Sequence, residues 1–137
     1  MTTRQHVAAF VATASVFTVL DIVWIVTVMQ PMFRDALGLL IRTKIVAWAG
    51  ALFYVIYLIG VFAFAVKPSQ RTGNAWVAAG RGALLGLIAY GTYELTNYAT
   101  LKDWPLKIVL IDMSWGVCMT AVAAATGAKA ARMFAKL

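Results

Sequence analysis

The stretch LIAYGTYELTNYATLKDWPLKIVLIDMSW, residues Leu87–Trp115, decides the fold because two long apolar runs meet there across a short polar connection. The connection TLKDWP, residues Thr100–Pro105, is so short that the two runs must be antiparallel neighbours. Pro105 suits the first turn of a new helix, where its missing N–H costs little. Polar side chains nevertheless interrupt the stretch, and their role is the functional question: Glu94, Asn97, Asp103 and Asp112.

The composition of the whole chain is that of an integral membrane protein. Of its 137 residues, 63% are hydrophobic and 12% are charged, and the mean hydropathy is +0.83. Soluble domains are about 45–50% apolar and about 25% charged, and a fold of this size could not hide so much apolar surface from water. We therefore expect a single transmembrane domain that covers residues 1–137.

Four apolar segments are long enough to span a bilayer as helices, which takes about 20 residues each. The runs lack the alternation of apolar and polar residues that transmembrane strands require. The sequence therefore predicts an all-α, integral membrane four-helix transmembrane bundle with short loops. The predicted spans are residues 7–29, 45–66, 75–99 and 106–127.

Basic residues predict the orientation of the bundle. Seven lie on the side of the termini: Arg4, Lys67, Arg71, Arg81, Lys129, Arg132 and Lys136. Five lie on the other side: Arg34, Arg42, Lys44, Lys102 and Lys107. This bias predicts that both termini lie in the cytoplasm. The net charge of +7 is spread singly at the ends of apolar runs, so we expect membrane lipids as partners and no nucleic acid.

Three acidic residues fall within predicted spans and at a similar depth. At about 1.5 Å per residue, Asp21, Glu94 and Asp112 all lie in the outer half of the membrane. A carboxylate at the centre of a span costs about 2.5–3.5 kcal/mol on insertion scales. We therefore expect the three acids to face the bundle interior and to share partners there. The candidate charge partners lie at the same edge: Arg42, Lys44, Lys102 and Lys107.

Aromatic and amide residues accompany these acids at helical spacing. Tyr90, Glu94 and Asn97 share one helix face, and the pattern Asp-x-x-Trp occurs at Asp21 and again at Asp112. The predicted ligand-binding residues are Asp21, Trp24, Tyr90, Glu94, Asn97, Asp112 and Trp115. Two alternatives remain: the tryptophans could form an interfacial belt, and the aspartates could only join helices together.

The sequence points to no particular reaction, and we assign no catalytic residue. No cluster of histidine or cysteine suggests zinc or haem, so we expect no resident metal or cofactor. Two or three carboxylates could still bind a divalent cation or share protons. Gly82 and Gly86 have the small-xxx-small spacing of close helix packing. No predicted strand precedes them, so a phosphate-binding loop is not supported.

Two blocks of the chain, LDIVW (Leu20–Trp24) and AYGTYELTNYATLKDWPLKIVLIDMSWG (Ala89–Gly116), carry a family resemblance. The chain resembles, over nearly its whole length, small bacterial membrane proteins of the family called domain of unknown function 2177. The resemblance implies a four-helix inner-membrane protein and no established activity. Glu94 stands where such proteins more often have aspartate, which keeps the charge and lengthens the side chain.

Three functions remain open at this point. The first is a membrane-embedded protein that binds or transports a cation, a proton or a polar or lipid headgroup. The second is a lipid-modifying enzyme that uses an acid as general base beside Lys102 or Lys107. The third is a structural or accessory subunit, either as a homo-oligomer or with a partner membrane protein, in which the acids only hold helices together.

Overall fold

The computed structural model describes residues 1–135, and these residues form helices joined by short turns, with no strand. The all-α bundle is therefore as predicted. Lys136, which contributes to the predicted charge bias, lies outside the described residues. The helices are α1 (Thr3–Trp24), α2 (Gln30–Leu37), α3 (Ala47–Val61), α4 (Lys67–Ser69), α5 (Ala75–Thr100) and α6 (Leu106–Met133).

Two of the four long helical segments contain a π-helical turn that precedes a proline. Ile25–Met29 joins α1 to α2 just before Pro31, and Phe62–Val66 joins α3 to α4 just before Pro68. A proline removes one backbone donor and its ring crowds the carbonyl four residues earlier, and a π-helical turn relieves that crowding. For Pro68 this carbonyl belongs to Phe64, and it accepts a hydrogen bond from Arg81 Nη1 at 3.5 Å.

Local signals set the ends of the helices. The side chains of Thr2 and Gln5 form a capping box at the start of α1, and Asn74 Oδ1 accepts from the backbone N–H of Trp76 at the start of α5. Gly38 follows α2 with a positive φ of 51°, a conformation that glycine adopts without strain. Asp103 has a positive φ of 62° between α5 and α6, which an aspartate tolerates better than most residues.

The core follows stripes of residues that recur every four positions on α1, α5 and α6, so that one face of each helix is buried. Most of the stripe residues near the chain termini are alanine, glycine or threonine, and an acid follows toward the other end. The stripes contain Ala9, Thr13, Phe17 and Asp21 on α1, Ala78, Gly82, Gly86 and Glu94 on α5, and Asp112, Gly116, Thr120, Ala124 and Ala128 on α6.

Glycines bring the backbones of α5 and α6 into direct contact. A methyl group on Gly82 would lie 2.7 Å from the backbone oxygen of Thr120, and one on Gly86 would collide with the backbone of Gly116. The predicted close packing of Gly82 and Gly86 is therefore confirmed. At the same end, Gly127 of α6 packs against Thr13 of α1, so small residues join all three helices.

The outer surface of the bundle is strongly apolar. Large hydrophobic side chains are exposed along every long helix, among them Val19, Ile56, Leu84 and Leu110. Soluble monomers rarely expose contiguous apolar surface on this scale, so these faces are suited to lipid. The first half of α3 is the least covered by its neighbours, with Trp48, Leu52, Phe53, Val55 and Ile56 all exposed.

Three segments of the described chain are long and apolar enough to cross a membrane: Thr3–Leu40, Ala47–Ser69 and Leu106–Met133. Helix α5 has 26 residues, which is sufficient length, but its polar residues lower its hydropathy. Each predicted span overlaps one long helical segment. The exact span boundaries, the fourth crossing by α5 and the orientation remain predictions.

Candidate functional site

The structure buries three carboxylates from three different helices in one cluster. Asp21 of α1 is 5% exposed, Glu94 of α5 is fully buried and Asp112 of α6 is 7% exposed. Asp112 interacts electrostatically with both of the others, so the three side chains share one level of the bundle. Each acid continues the four-residue stripe of its helix, which is why all three point inward.

Asp21 is satisfied by two aromatic donors. The hydroxyl of Tyr54 on α3 donates to Asp21 Oδ2 at 2.5 Å, and the indole N–H of Trp115 on α6 donates to Oδ1 at 3.3 Å. Hydrogen bonds to a charged group are stronger than those between neutral groups. Asp21 therefore links α1 to both neighbouring helices, and each of its oxygens has a donor.

Glu94 is only half satisfied. The indole N–H of Trp104 donates to Glu94 Oε2 at 2.9 Å, but the buried Oε1 has no hydrogen-bond partner. Trp104 reaches back over α5 because Asp103, with its positive φ, turns the chain sharply before α6. The α5–α6 connection therefore both reverses the chain and supplies a donor to a membrane-buried acid.

Asp112 interacts with the carboxyl group of Glu94 and the indole of Trp24, but it accepts no close, well-aligned hydrogen bond among residues 1–135. The indole nitrogen of Trp24 is itself buried without a well-formed hydrogen bond. Buried polar groups in native structures are nearly always hydrogen-bonded. An unsatisfied acceptor on Glu94 and an unsatisfied donor on Trp24 therefore lie beside an acid that is held only weakly.

Tryptophans of the cluster face inward. The indoles of Trp24 and Trp115 are stacked, with ring centroids 4.4 Å apart and planes 2° apart, and Trp104 is 7% exposed. Stacking or a buried acid therefore holds each of these three residues, and the interfacial belt remains an alternative for their position in the membrane. Trp48 and Trp76 are the tryptophans that extend outward.

A cavity of about 620 Å³ lies beside the cluster, within the size range of about 300–1,000 Å³ that is common for ligand sites. We call Asp21 and Asp112, which both line the cavity, its floor. Its walls are aromatic and aliphatic, with Trp24, Phe33, Phe53, Tyr90 and Tyr93 among them. Its mouth, defined here as Arg34, Arg42 and Thr43, lies where the chain passes from α2 to α3.

Tyr90 separates the cavity from the tightly packed part of the bundle. Its ring lies directly over Gly116 of α6, so that any side chain at position 116 would collide with it. The ring also packs edge-on toward Tyr57 at 6.2 Å between centroids. The predicted residues Asp21, Trp24, Tyr90 and Asp112 thus line the cavity, although no ligand shows that they bind one.

Some predicted site residues lie elsewhere. Glu94 is behind Asp112 rather than on the cavity surface, Trp115 is behind Trp24 and Asp21, and Asn97 lies one turn further along α5 near Tyr93. Lysines are not the partners of the acids, because the acids point into the bundle and the lysine side chains extend outward. The three lysines that were predicted as partners are all exposed: Lys44, Lys102 and Lys107.

Several residues of the site were not predicted from the sequence. Tyr54, which binds Asp21, lies in FYVIY (residues 53–57), where paired tyrosines in an apolar span signal buried hydrogen bonding. Trp104 lies next to the Asp103 turn. Arg34 lies at the mouth of the cavity. The signal in the sequence was its position one helical turn after another polar residue, Gln30, on α2.

The arrangement suits recognition of a positively charged, hydrogen-bonding group better than it suits a metal ion. Within residues 1–135, no three or more His, Cys, Asp or Glu side chains are grouped closely enough to hold a metal ion. Two acids at a cavity floor, surrounded by aromatic faces, attract a cation by charge and by cation–π interaction.

Comparison with known proteins identifies the family. The family model described as "Predicted membrane protein (DUF2177)" matches residues 6–129, from the first turn of α1 to the last turn of α6. No curated protein matches the chain, and no solved structure does. The match extends over most of the sequence and agrees with the apolar helical structure. The chain therefore belongs to this family of predicted membrane proteins.

Proposed function

We propose that this protein binds a positively charged group, such as an organic ammonium, in the acidic and aromatic cavity. We further propose that it does so in a bacterial inner membrane, with both termini in the cytoplasm and the mouth of the cavity toward the periplasm. The observation that carries the proposal is Asp112, which is 7% exposed, lines the cavity and accepts no close hydrogen bond within the described chain.

The unsatisfied state of Asp112 is the physical argument. An isolated charge in a span is costly and finds a partner, and Asp21 shows how this bundle satisfies an acid with protein donors alone. Asp112 has no donor as close as those of Asp21: the indole of Trp24 interacts with it only weakly, and the nearby Tyr90 makes no hydrogen bond to it. A cationic ligand at the cavity floor would supply the missing donors and charge.

Binding is favoured over the two alternative functions by specific observations. A role limited to joining helices would predict that all three acids are paired within the protein, as Asp21 is. A lipid-modifying reaction that uses Lys102 or Lys107 beside an acid is not supported, because neither lysine lines the cavity. A role as an accessory subunit remains compatible with cation binding.

Calorimetric titration of the detergent-purified protein with octylammonium tests the proposal, with the neutral octanol as a matched probe. We expect octylammonium to bind and octanol not to, because only the ammonium pairs with the floor. Asp112→Asn should weaken binding by at least about tenfold, since loss of one partner of a buried charge pair costs about 2–5 kcal/mol.

Asp103→Asn is the matched control, because it removes an acid from the exposed α5–α6 turn and asparagine tolerates the positive φ at that position. This variant should bind octylammonium as the wild type does. Circular dichroism must show that both variants are folded. Equal affinity of the wild type and Asp112→Asn for octylammonium would refute the proposal.

A further inference from the structure

The cavity carries opposite charges at its two ends. Asp21 and Asp112 form the floor, and Arg34 and Arg42 lie at the mouth. Both arginines are exposed, and no carboxylate within residues 1–135 is hydrogen-bonded to either of them. A guanidinium presents a planar fork of donors that matches phosphate oxygens. The mouth is therefore suited to an anion of that kind, while the floor is suited to a cation.

One wall of the cavity is open toward the apolar exterior. Ile41, Ile45 and Phe53 line the cavity and are also exposed on the outer surface. This wall belongs to the sparsely covered first half of α3 and to the turn before it. A ligand in the cavity could therefore extend an apolar chain sideways along α3 into the bilayer.

These features together define an amphiphile with a phosphate, a cationic end and an acyl chain. We propose that the ligand is a phospholipid whose headgroup carries a primary ammonium, as in phosphatidylethanolamine. This inference rests on the proposed cation binding at Asp112. The phosphate lies at Arg34 and Arg42, the ammonium reaches Asp112, and an acyl chain lies along Phe53.

The unsatisfied acceptors favour a primary over a quaternary ammonium. A primary ammonium has three N–H donors, which can reach the carboxylate of Asp112 and the other acceptors of the floor. A trimethylated ammonium would be attracted to the aromatic walls but would donate no hydrogen bond to Asp112. An anionic headgroup without an amine, such as phosphatidylglycerol, would bring no cation to Asp112.

Native mass spectrometry of the detergent-purified protein with defined lipids tests this assignment. We expect phosphatidylethanolamine to be retained at least fivefold over phosphatidylcholine and phosphatidylglycerol of the same acyl chains. Soluble phosphoethanolamine should bind much more weakly than the lipid, because it lacks the chain that lies along α3. Equal binding of the three lipids, or of phosphoethanolamine and the lipid, would overturn the inference.

Two double variants separate this inference from the proposed function. Arg34→Gln with Arg42→Gln should weaken retention of phosphatidylethanolamine at least about fivefold, because the phosphate loses its donors, while octylammonium still binds through Asp112. Arg4→Gln with Arg71→Gln removes the same charge from the opposite end of the protein and should change neither. If octylammonium binding depends on Asp112 but retention of phosphatidylethanolamine survives loss of both mouth arginines, only the lipid assignment fails. If octylammonium binding does not depend on Asp112, the proposed function fails as well.

Discussion

Helices α5 and α6 pack in two different ways along their length. Near the chain termini, Gly82 and Gly86 let the two backbones touch. Toward the other end, the ring of Tyr90 fits over Gly116, and beyond it the helices are joined by Glu94, Asp112 and Trp104. The first region leaves no space between α5 and α6, whereas the second borders the cavity. The size of the stripe residues therefore decides where the bundle is closed and where it is open.

Hydrogen bonding of the stripe residues also differs between the two regions. In the closed region, Thr13 donates to the backbone oxygen of Ala9 at 2.8 Å, and the hydroxyls of Tyr57 and Thr120 are 2.8 Å apart. In the open region, Glu94 Oε1 and the neighbouring Trp24 Nε1 have no partner. Unsatisfied nitrogens also occur at the terminal end of α6, on the guanidinium of Arg132. Unsatisfied buried groups lower stability wherever they occur, so the close packing of the stripes must offset them.

The strongest test of this comparison is to break the closed region. Gly86→Ala places a methyl group against the backbone of Gly116, which no rotamer change can relieve, and we expect a loss of about 3 kcal/mol or more, at the upper end for overpacking. Gly80→Ala on the exposed side of α5 meets no atom within 4 Å and should be neutral or stabilising by up to about 1 kcal/mol. Unfolding in mixed micelles with increasing sodium dodecyl sulfate, followed by circular dichroism, measures both. Similar stability of the two variants would show that the glycine contact is not what holds α5 to α6.

A second test addresses the half-satisfied acid. Trp104→Phe removes the one close donor to Glu94 among residues 1–135 and should destabilise the fold by about 2–3 kcal/mol, because a buried carboxylate loses its partner. In a Glu94→Met background the same change should cost much less, and this double-mutant cycle isolates the hydrogen bond from the packing of the ring. Trp76→Phe, at a tryptophan that is 82% exposed, is the control. Equal costs of Trp104→Phe in both backgrounds would mean that the hydrogen bond contributes nothing.

The sequence was sufficient for the parts of this fold that depend on bulk properties. Hydropathy predicted the helices, and the cost of a charge in a bilayer predicted that Asp21, Glu94 and Asp112 point inward. The four-residue stripes give the same answer independently, since Gly82 and Gly86 lead in steps of four to Tyr90 and Glu94. The convergence of the acids was therefore predictable without any structure.

Features that depend on exact geometry were not predictable in this way. Lysines were expected to pair with the acids because they lie at the same depth, but a lysine at a helix end extends toward the headgroups, while an aromatic donor can remain inside. Nothing in the spacing of Glu94 indicates that it lies behind Asp112 rather than on the cavity surface. The two π-helical turns arise from how each helix accommodates its proline, and a hydropathy pattern does not report this.

A third test compares the satisfied acid with the half-satisfied one. Tyr54→Phe removes the 2.5 Å hydrogen bond to Asp21, but Trp115 still donates to the same carboxylate. We therefore expect a smaller loss than for Trp104→Phe, of about 1–2 kcal/mol. Tyr98→Phe on the exposed face of α5 should change the free energy of unfolding by less than about 0.5 kcal/mol. A loss as large as that of Trp104→Phe would mean that the hydrogen bond from Trp115 is not enough, by itself, to satisfy Asp21.

The smallest effect is expected at Trp24, and it is the sharpest test of the open region. The indole nitrogen of Trp24 is buried without a partner, so Trp24→Phe removes an unsatisfied donor and keeps an aromatic ring against Trp115. Removing the unsatisfied donor stabilises the protein, and this gain offsets the loss of buried ring area. We therefore expect the free energy of unfolding to change by less than about 1 kcal/mol. A loss of 2 kcal/mol or more would show that this nitrogen is hydrogen-bonded in the membrane, for example by water in the cavity. The same measurement should then be repeated with bound octylammonium. An ammonium group accepts no hydrogen bond from Trp24, so we expect it to stabilise the wild type and Trp24→Phe equally.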